Sequence, residues 1–336
     1  MHKNSGIAKH IIENAKRIAI FGHMNPDGDC IGAMLGLGKL LEKQKKDISY
    51  FVPNKPSKIF NFVKNIKRLK SRFDYKNYDL LIFVDFTWIN RMGILSQVKP
   101  EYFQNKPLII FDHHADNWIN HGVIIKDIKS ISACEILFEH TYKWRPKQYD
   151  KDIATYFYLG ITSDSGNFLF GENHIRTFTN VVKLLKLGAE KDFVVDNLIR
   201  KKSLNSIKFL QLLLNRMQHK DKLLYVYYDE EELKEYDVDQ EEAAYALHII
   251  QNIDGPEIVL LIRKAWEYIR WSLRAKKIED KKTGKLKIDC NKIAQELWGG
   301  WHKLAAGFGM PAQGMFENQI QEIVKQINKM IKKTDY

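Results

Sequence analysis

The chain has 336 residues, 45% of them hydrophobic and 28% charged, with 53 Lys and Arg against 41 Asp and Glu for a net charge of +12. This composition excludes a disordered, collagenous or coiled-coil chain, and the length suits two domains. No run approaches the ~18 uninterrupted apolar residues that span a bilayer, so a membrane-spanning protein is excluded.

In chain order, residues 1–15 mix His, Lys, Asn and Glu and lack the apolar core of a signal peptide. Residues 17–21 form a β-branched run that ends at Gly22. From 30 to 43 the spacing of Ile31, Met34, Leu35, Leu37, Leu40 and Leu41 predicts a helix. Residues 48–52, 78–86 and 107–111 read as strands, the last two apolar almost throughout, as strands buried on both faces are. Residues 132–142, 152–159 and 176–187 read as helices, the last stopped by Gly188. This alternation predicts an α/β fold with a mostly parallel sheet.

Residues 192–218 read as mostly helical, 222–228 as a strand and 241–250 as a helix. Two strands over 257–264 and 268–276, a charged turn over 280–287, and helices over 290–297 and 316–333 complete the pattern. The expected layout is a first domain over 1–195, a connecting helical linker over 196–220 and a smaller α/β domain over 221–336. The three cysteines, Cys30, Cys134 and Cys290, offer neither a Cys-x-x-Cys pair nor a disulfide ladder, which suits a cytoplasmic protein. The positive excess favours anionic partners such as nucleotides or nucleic acid, with a lysine-rich surface as the plain alternative.

Four segments of the first domain each place a His or Asp at or just beyond the C-terminal end of a predicted strand, the edge where ligands bind in open α/β sheets. The turn His23-Met24-Asn25-Pro26-Asp27-Gly28-Asp29 converges one imidazole and two carboxylates. Asp85 ends an apolar strand, where a charge is costly unless compensated. Asp112-His113-His114 ends the next strand, and Asp164 lies in a small-residue turn, 160–166, after a helical stretch. A carboxylate and imidazole set without sulfur suits Mn²⁺, and also Fe²⁺, Co²⁺ or Mg²⁺. There are more ligands than one ion needs, and one carboxylate could bridge two ions ~3.5–4 Å apart.

These four motifs, in this order, resemble the DHH phosphoesterase superfamily. The resemblance implies a catalytic first domain with a two-metal centre, usually manganese. It implies that His23 and Asp27 hold one metal, that Asp29, His113 and Asp164 hold the other, and that Asp85 bridges both. It places His114 near the scissile phosphate, with Asp112 as its orienter, a common pairing of carboxylate and imidazole. Farther on, the stretch 298–307, Trp-Gly-Gly-Trp-His-Lys-Leu-Ala-Ala-Gly, resembles the Gly-Gly-Gly-His-x-x-Ala-Ala-Gly signature of the DHH-associated C-terminal domain, with Trp301 in place of the third glycine. Ser272-Leu273-Arg274 resembles the strand before it, and Arg176 matches a family arginine of the catalytic domain. Arg176, Arg274, Gly299, Gly300 and His302 are therefore the implied substrate residues.

Within the superfamily the two-domain layout is most similar to the nanoRNase and 3′-phosphoadenosine 5′-phosphate phosphatase group. The implied reaction is hydrolysis of short oligoribonucleotides to mononucleotides, and of that bisphosphate to AMP, by metal-activated water. A homodimer is implied as well. The alternatives are a phosphodiesterase for cyclic di-AMP or pApA, and a non-catalytic nucleotide- or RNA-binding protein.

Overall fold

A computed structural model describes residues 3–74, 76–86, 102–103, 105–114, 121–171, 173–279, 284, 286–301 and 303–334. The chain divides into two compact units, Met1–Lys201 and Lys202–Tyr336.

The first unit is built on a six-stranded sheet. Its strands are β1 (Arg17–Phe21), β2 (Asp47–Phe51), β3 (Leu69–Lys70), β4 (Leu80–Val84), β5 (Leu108–Asp112) and β6 (Val123–Lys126). They lie in the order β3-β2-β1-β4-β5-β6, every pair parallel. The order reverses between β1 and β4, and such a switch point opens a crevice at the strands' carboxyl ends. Strands β4 and β5 are buried along their whole length, which is why they read as unbroken apolar runs. One face carries an aromatic core around Phe21, Phe51, Phe73, Phe83 and Phe103. The other is covered by α2 (Gly28–Glu42), α3 (Ala133–Trp144) and α4 (Lys151–Asp164), with α1 (Lys3–Asn14) and α5 (His174–Lys186) farther out.

Helices α2 and α4 pack at close range. Gly28, Gly32 and Gly36 recur every fourth residue along α2. A Cβ at Gly32 would stand 2.3 Å from the Tyr156 carbonyl, so that contact requires a glycine.

The second unit holds a mixed sheet in the order β11-β12-β10-β9-β8-β7. Its strands are β7 (Gln218–Lys220), β8 (Leu223–Asp229), β9 (Ile258–Ala265), β10 (Tyr268–Ala275), β11 (Gly300–Trp301) and β12 (Ala305–Pro311). Among the described residues of this sheet, only β8 and β9 pair in parallel. The helix Leu204–Arg216, which follows a π-turn at Asp196–Arg200, packs on this sheet through Phe209, Leu210 and Leu213. Gln240–Ile250 lies on the same face, and Cys290–Glu296 and Phe316–Thr334 cover the other. Most of the charged turn at 280–287 lies outside the described residues. Among the described residues no helix is long and apolar enough to cross a membrane.

Candidate metal centre

The residues gather where the sheet's switch point meets three helix ends. His23 follows β1 and is buried. Its Nδ1 lies 2.8 Å from the Met24 carbonyl, which turns Nε2 toward Asp85 Oδ2 at 3.1 Å and Asp27 Oδ2 at 3.8 Å. Asp27 caps α2: its Oδ1 accepts from the Asp29 and Cys30 amides, both at 3.0 Å, leaving Oδ2 for the site. Asp85 leaves β4 with a φ of +53°, a left-handed conformation that Asp tolerates better than most residues.

Asp29 is fully buried on the first turn of α2, and its carboxylate caps a second helix. Oδ2 accepts from the Ala133 amide at 2.6 Å and Oδ1 from the Cys134 amide at 2.9 Å. The N-terminus of α3 thus holds the carboxylate through amides and dipole together. Gly160 makes room for it, since a Cβ there would stand 2.6 Å from Asp29 Oδ1 and 2.2 Å from Cys134 Sγ.

Asp164 corrects the sequence expectation of a turn. The helix α4 runs through it, with Ser165 as the C-cap, so this carboxylate reaches the site from a helix and not from a loop. The small residues from Gly160 to Ser165 serve close packing against α2, which in sequence looks the same as a turn.

His113 Nε2 lies 3.2 Å from Asp164 Oδ2 and 3.4 Å from Asp85 Oδ1. His114 Nδ1 lies 2.8 Å from Asp112 Oδ1, so that carboxylate fixes the ring. The donor atoms fall into three groups: His23, Asp27 and Asp85; Asp29, His113 and Asp164; and Asp85, His113 and His114, with donors inside each group within 4.8 Å of one another. Asp85 and His113 each belong to two groups.

The electrostatics fit divalent cations. Among the described residues Asp85 Oδ1 and His113 Nε2 are buried without a hydrogen-bond partner, an arrangement that a cation would complete. Burial, with Asp164 and Asp85 nearby, pushes the Asp29 carboxyl well above its ordinary value. Burial, with Asp27 and Asp85, pushes Asp164 up to about 6 against the pull of His113. Burial would raise Asp85 too, but the imidazoles of His113 and His23 hold it well below the usual carboxylate range. Burial opposes the charge on His113, yet Asp164 and Asp85 raise its pKa well above the usual imidazole value. Several carboxylates crowded in one dry pocket repel each other until positive charge arrives. The all-oxygen-and-nitrogen donor set is the kind that hard and borderline divalent ions prefer.

The remaining candidates lie elsewhere. Arg176, on α5, is already engaged: Nε and Nη2 grip Glu139 at 2.8 and 2.7 Å, and Nη1 reaches Asp127 at 2.7 Å. In the second unit Arg274 donates to the Leu273 carbonyl at 2.9 Å, and among the described residues no carboxylate pairs with it. Burial lowers its pKa. The sequence reading gave no role to His248 or to Lys202, which lie within electrostatic reach of each other. Burial, then Arg274 and Lys202, push His248 down to about 4. Nothing in their local sequence distinguishes them from surface charges. Gly299 packs on β12, where a Cβ would stand 2.2 Å from the Gly307 carbonyl. Gly300 opens β11, paired with Gly307. The backbone at Trp301 is extended and paired with Ala306, a conformation open to any residue, so backbone strain does not require a glycine there. His302 lies outside the described residues.

The family model for the DHH family, N-terminal domain, matches residues 17–161, and the DHHA1 domain matches residues 220–333. A bifunctional oligoribonuclease and PAP phosphatase NrnA from Mycoplasma genitalium is 25% identical over 324 residues, 95% of this chain and 96% of that protein. The protein of the same name from Mycoplasma pneumoniae is 25% identical over 334 residues, 97% of this chain and 98% of its own. The crystal structure of an exopolyphosphatase-related protein from Bacteroides fragilis aligns with a TM-score of 0.87 at 22% identity, covering 100% of this chain and 98% of that one.

Proposed function

The chain belongs to the DHH family and is a phosphoester hydrolase, and from that premise we propose that it cleaves short oligoribonucleotides to mononucleotides and 3′-phosphoadenosine 5′-phosphate to AMP. The observation that carries the metal chemistry is the pair of ligand groups on either side of Asp85, whose buried Oδ1 has no hydrogen-bond partner among the described residues. The match to oligoribonucleases over nearly their whole length supports the substrate class.

In this reading His23 and Asp27 hold one divalent cation, Asp29, His113 and Asp164 hold a second, and Asp85 serves both, with Mn²⁺ the first choice and Mg²⁺, Co²⁺ or Fe²⁺ the alternatives. When bound, such ions supply hydroxide at neutral pH and offset charge on the phosphate. The chain's own residues do the rest. The α3 amides fix Asp29, and the cap of α2 fixes Asp27, so the ligands are preorganised. Asp112 holds His114 by Nδ1, so Nε2 is the atom to hydrogen-bond the scissile phosphate or pass a proton to the leaving oxygen. Arg274 and the backbone at Gly299 and Gly300, with His302, grip the substrate's anionic groups. Arg176 is left out of this reading, because all its nitrogens serve Glu139 and Asp127.

We further infer a cytoplasmic homodimer. Helix α5 exposes Ile175, Phe178, Val182 and Leu185 at helical spacing, a stripe that suits a second copy of the chain. The reaction is tested with a Mn²⁺-supplemented panel, resolved by chromatography, of a diribonucleotide, 3′-phosphoadenosine 5′-phosphate, pApA and cyclic di-AMP at equal concentration. Preference for the linear dinucleotide and the bisphosphate is expected. Preference for cyclic di-AMP would replace this reading with a second-messenger phosphodiesterase, and binding without turnover would replace it with a nucleotide-binding protein.

A further inference from the structure

The helix Cys290–Glu296 ends in a paired cap: the Gly299 amide donates to the Ala294 carbonyl at 2.8 Å and the Trp298 amide to the Gln295 carbonyl at 3.2 Å. This pattern puts one residue in the left-handed region, a position where glycine is strongly preferred. Here it is Trp298, with φ +61°, and its side chain is 98% exposed. A tryptophan gains much from burial and, being bulky, is disfavoured at positive φ, so folding alone gives no reason for it at this position.

Its surroundings supply one. Trp298 immediately precedes Gly299 and Gly300. Across the ladder Gly300 pairs with Gly307, and Gly307 with Ser272. One pair farther along the same sheet face Arg274 pairs with Ala305, and on the other side Arg270 pairs with Gly309. On this face Ala305 and Gly307 are small while the Tyr268 ring lies over Gly309, Arg270 and Arg274 stand on either side of Ser272, and Trp298 is exposed two residues before the edge strand β11.

We propose that Trp298 stacks on one base of a nucleotide whose phosphate Arg274 holds, and so sets the preference for nucleotide over simple phosphoester substrates. This rests on the substrate reading given above and deepens it. Base stacking on an aromatic ring is worth ~1–3 kcal/mol, about 5- to 150-fold in affinity.

The test compares W298G, W298F and, as a control, W266G. Trp266 is also exposed and left-handed (φ +50°), but it sits in the β9–β10 hairpin and not beside Gly299 and Gly300 in the chain. The substrates are pApA and its analogue lacking both bases, with Mn²⁺ present; KM and kcat come from hydrolysis and Kd from calorimetry. W298G is expected to melt about 2–5 °C higher, because glycine suits the cap, while binding pApA about 5-fold or more weakly. The abasic substrate should not change. W298F should stay within about 3-fold of wild type, since the ring is kept, and W266G should change neither KM. Wild-type affinity for pApA in W298G, or an equal loss for the abasic analogue, would overturn the stacking role while leaving the hydrolase reading intact. Binding of pApA without hydrolysis, weakened in W298G, would support stacking and overturn the hydrolytic reading. No binding of pApA by the wild type would overturn both.

Discussion

Removing divalent cations is expected to make the first unit's stability depend on pH through Asp164. In the metal-free protein, burial and the nearby Asp27 and Asp85 push this carboxyl up to about 6 from an ordinary 3.8. A carboxyl that holds its proton more tightly in the folded state contributes its full stability below the unfolded value and loses it as pH rises through the folded one. About two pKa units, at ~1.4 kcal/mol each, put that loss near ~3 kcal/mol between pH ~4 and pH ~6. At ~2–4 °C per kcal/mol for a unit of this size, the roughly 1.4 kcal/mol of that loss still to come above pH 5 should appear as a fall in Tm of about 3–6 °C between about pH 5 and pH 7.5. Asp29, also raised, works in the same direction, and so does the raised His113 at higher pH. Asp85, held low, is ionised throughout this window and adds no slope. Asp164→Asn removes the charge, so the chelated variant should melt higher than chelated wild type at pH 7.5 and show a flatter pH dependence. The same variant should lose most of the Tm gain that Mn²⁺ gives wild type, because a ligand is gone. Thermal melts by circular dichroism, with chelator or with Mn²⁺, measure all of these. A chelated wild type equally stable at pH 5 and pH 7.5, or an Asp164→Asn protein less stable than wild type without metal, would refute the reasoning.

Three further outcomes follow from the geometry. Asp112→Asn should lower kcat by about 10- to 100-fold while leaving bound metal unchanged, since the residue orients His114 and belongs to none of the three donor groups; steady-state kinetics beside elemental analysis check this. Gly160→Ala should destabilise the first unit by ~1–3 kcal/mol in urea melts and weaken Mn²⁺ binding, because the new methyl meets Cys134 Sγ and Asp29 Oδ1. Phe178→Glu with Val182→Glu should convert the dimer to a monomer in light scattering; an unchanged mass would remove the α5 stripe as the interface.

Much of this molecule can be read from its sequence, and the parts that cannot have physical reasons. Strands β4 and β5 are buried on both faces, so burial writes itself as unbroken apolar runs. His23, Asp85 and Asp112 were legible because each interrupts or ends such a run, where an ionisable group needs a purpose. Asp164 reads as a turn residue but ends a helix, because glycine and serine serve helix contacts as readily as turns. Strand β12 reads Ala-Ala-Gly-Phe-Gly-Met-Pro, a poor strand by propensity. It forms because β10 and β11 pair with both its edges, which no local signal reports. The α3 amides that hold Asp29 follow the Ser132-x-x-Glu135 spacing that marks a helix start, but nothing local says that a carboxylate 104 residues earlier docks there. Arg176 reads as a substrate-binding charge because its partners Glu139 and Asp127 lie 37 and 49 residues away in the sequence.

The central claim is that this chain hydrolyses phosphoesters through divalent cations gathered around Asp85. Its most direct test is to strip the protein with chelator and titrate it with Mn²⁺, following release of mononucleotide from a diribonucleotide while bound metal is counted. The account predicts no hydrolysis in the stripped protein, activity that saturates near two equivalents, and loss of both metal and activity in Asp85→Ala. Undiminished hydrolysis in chelator, or an Asp85→Ala protein that keeps its metal and its rate, would contradict it.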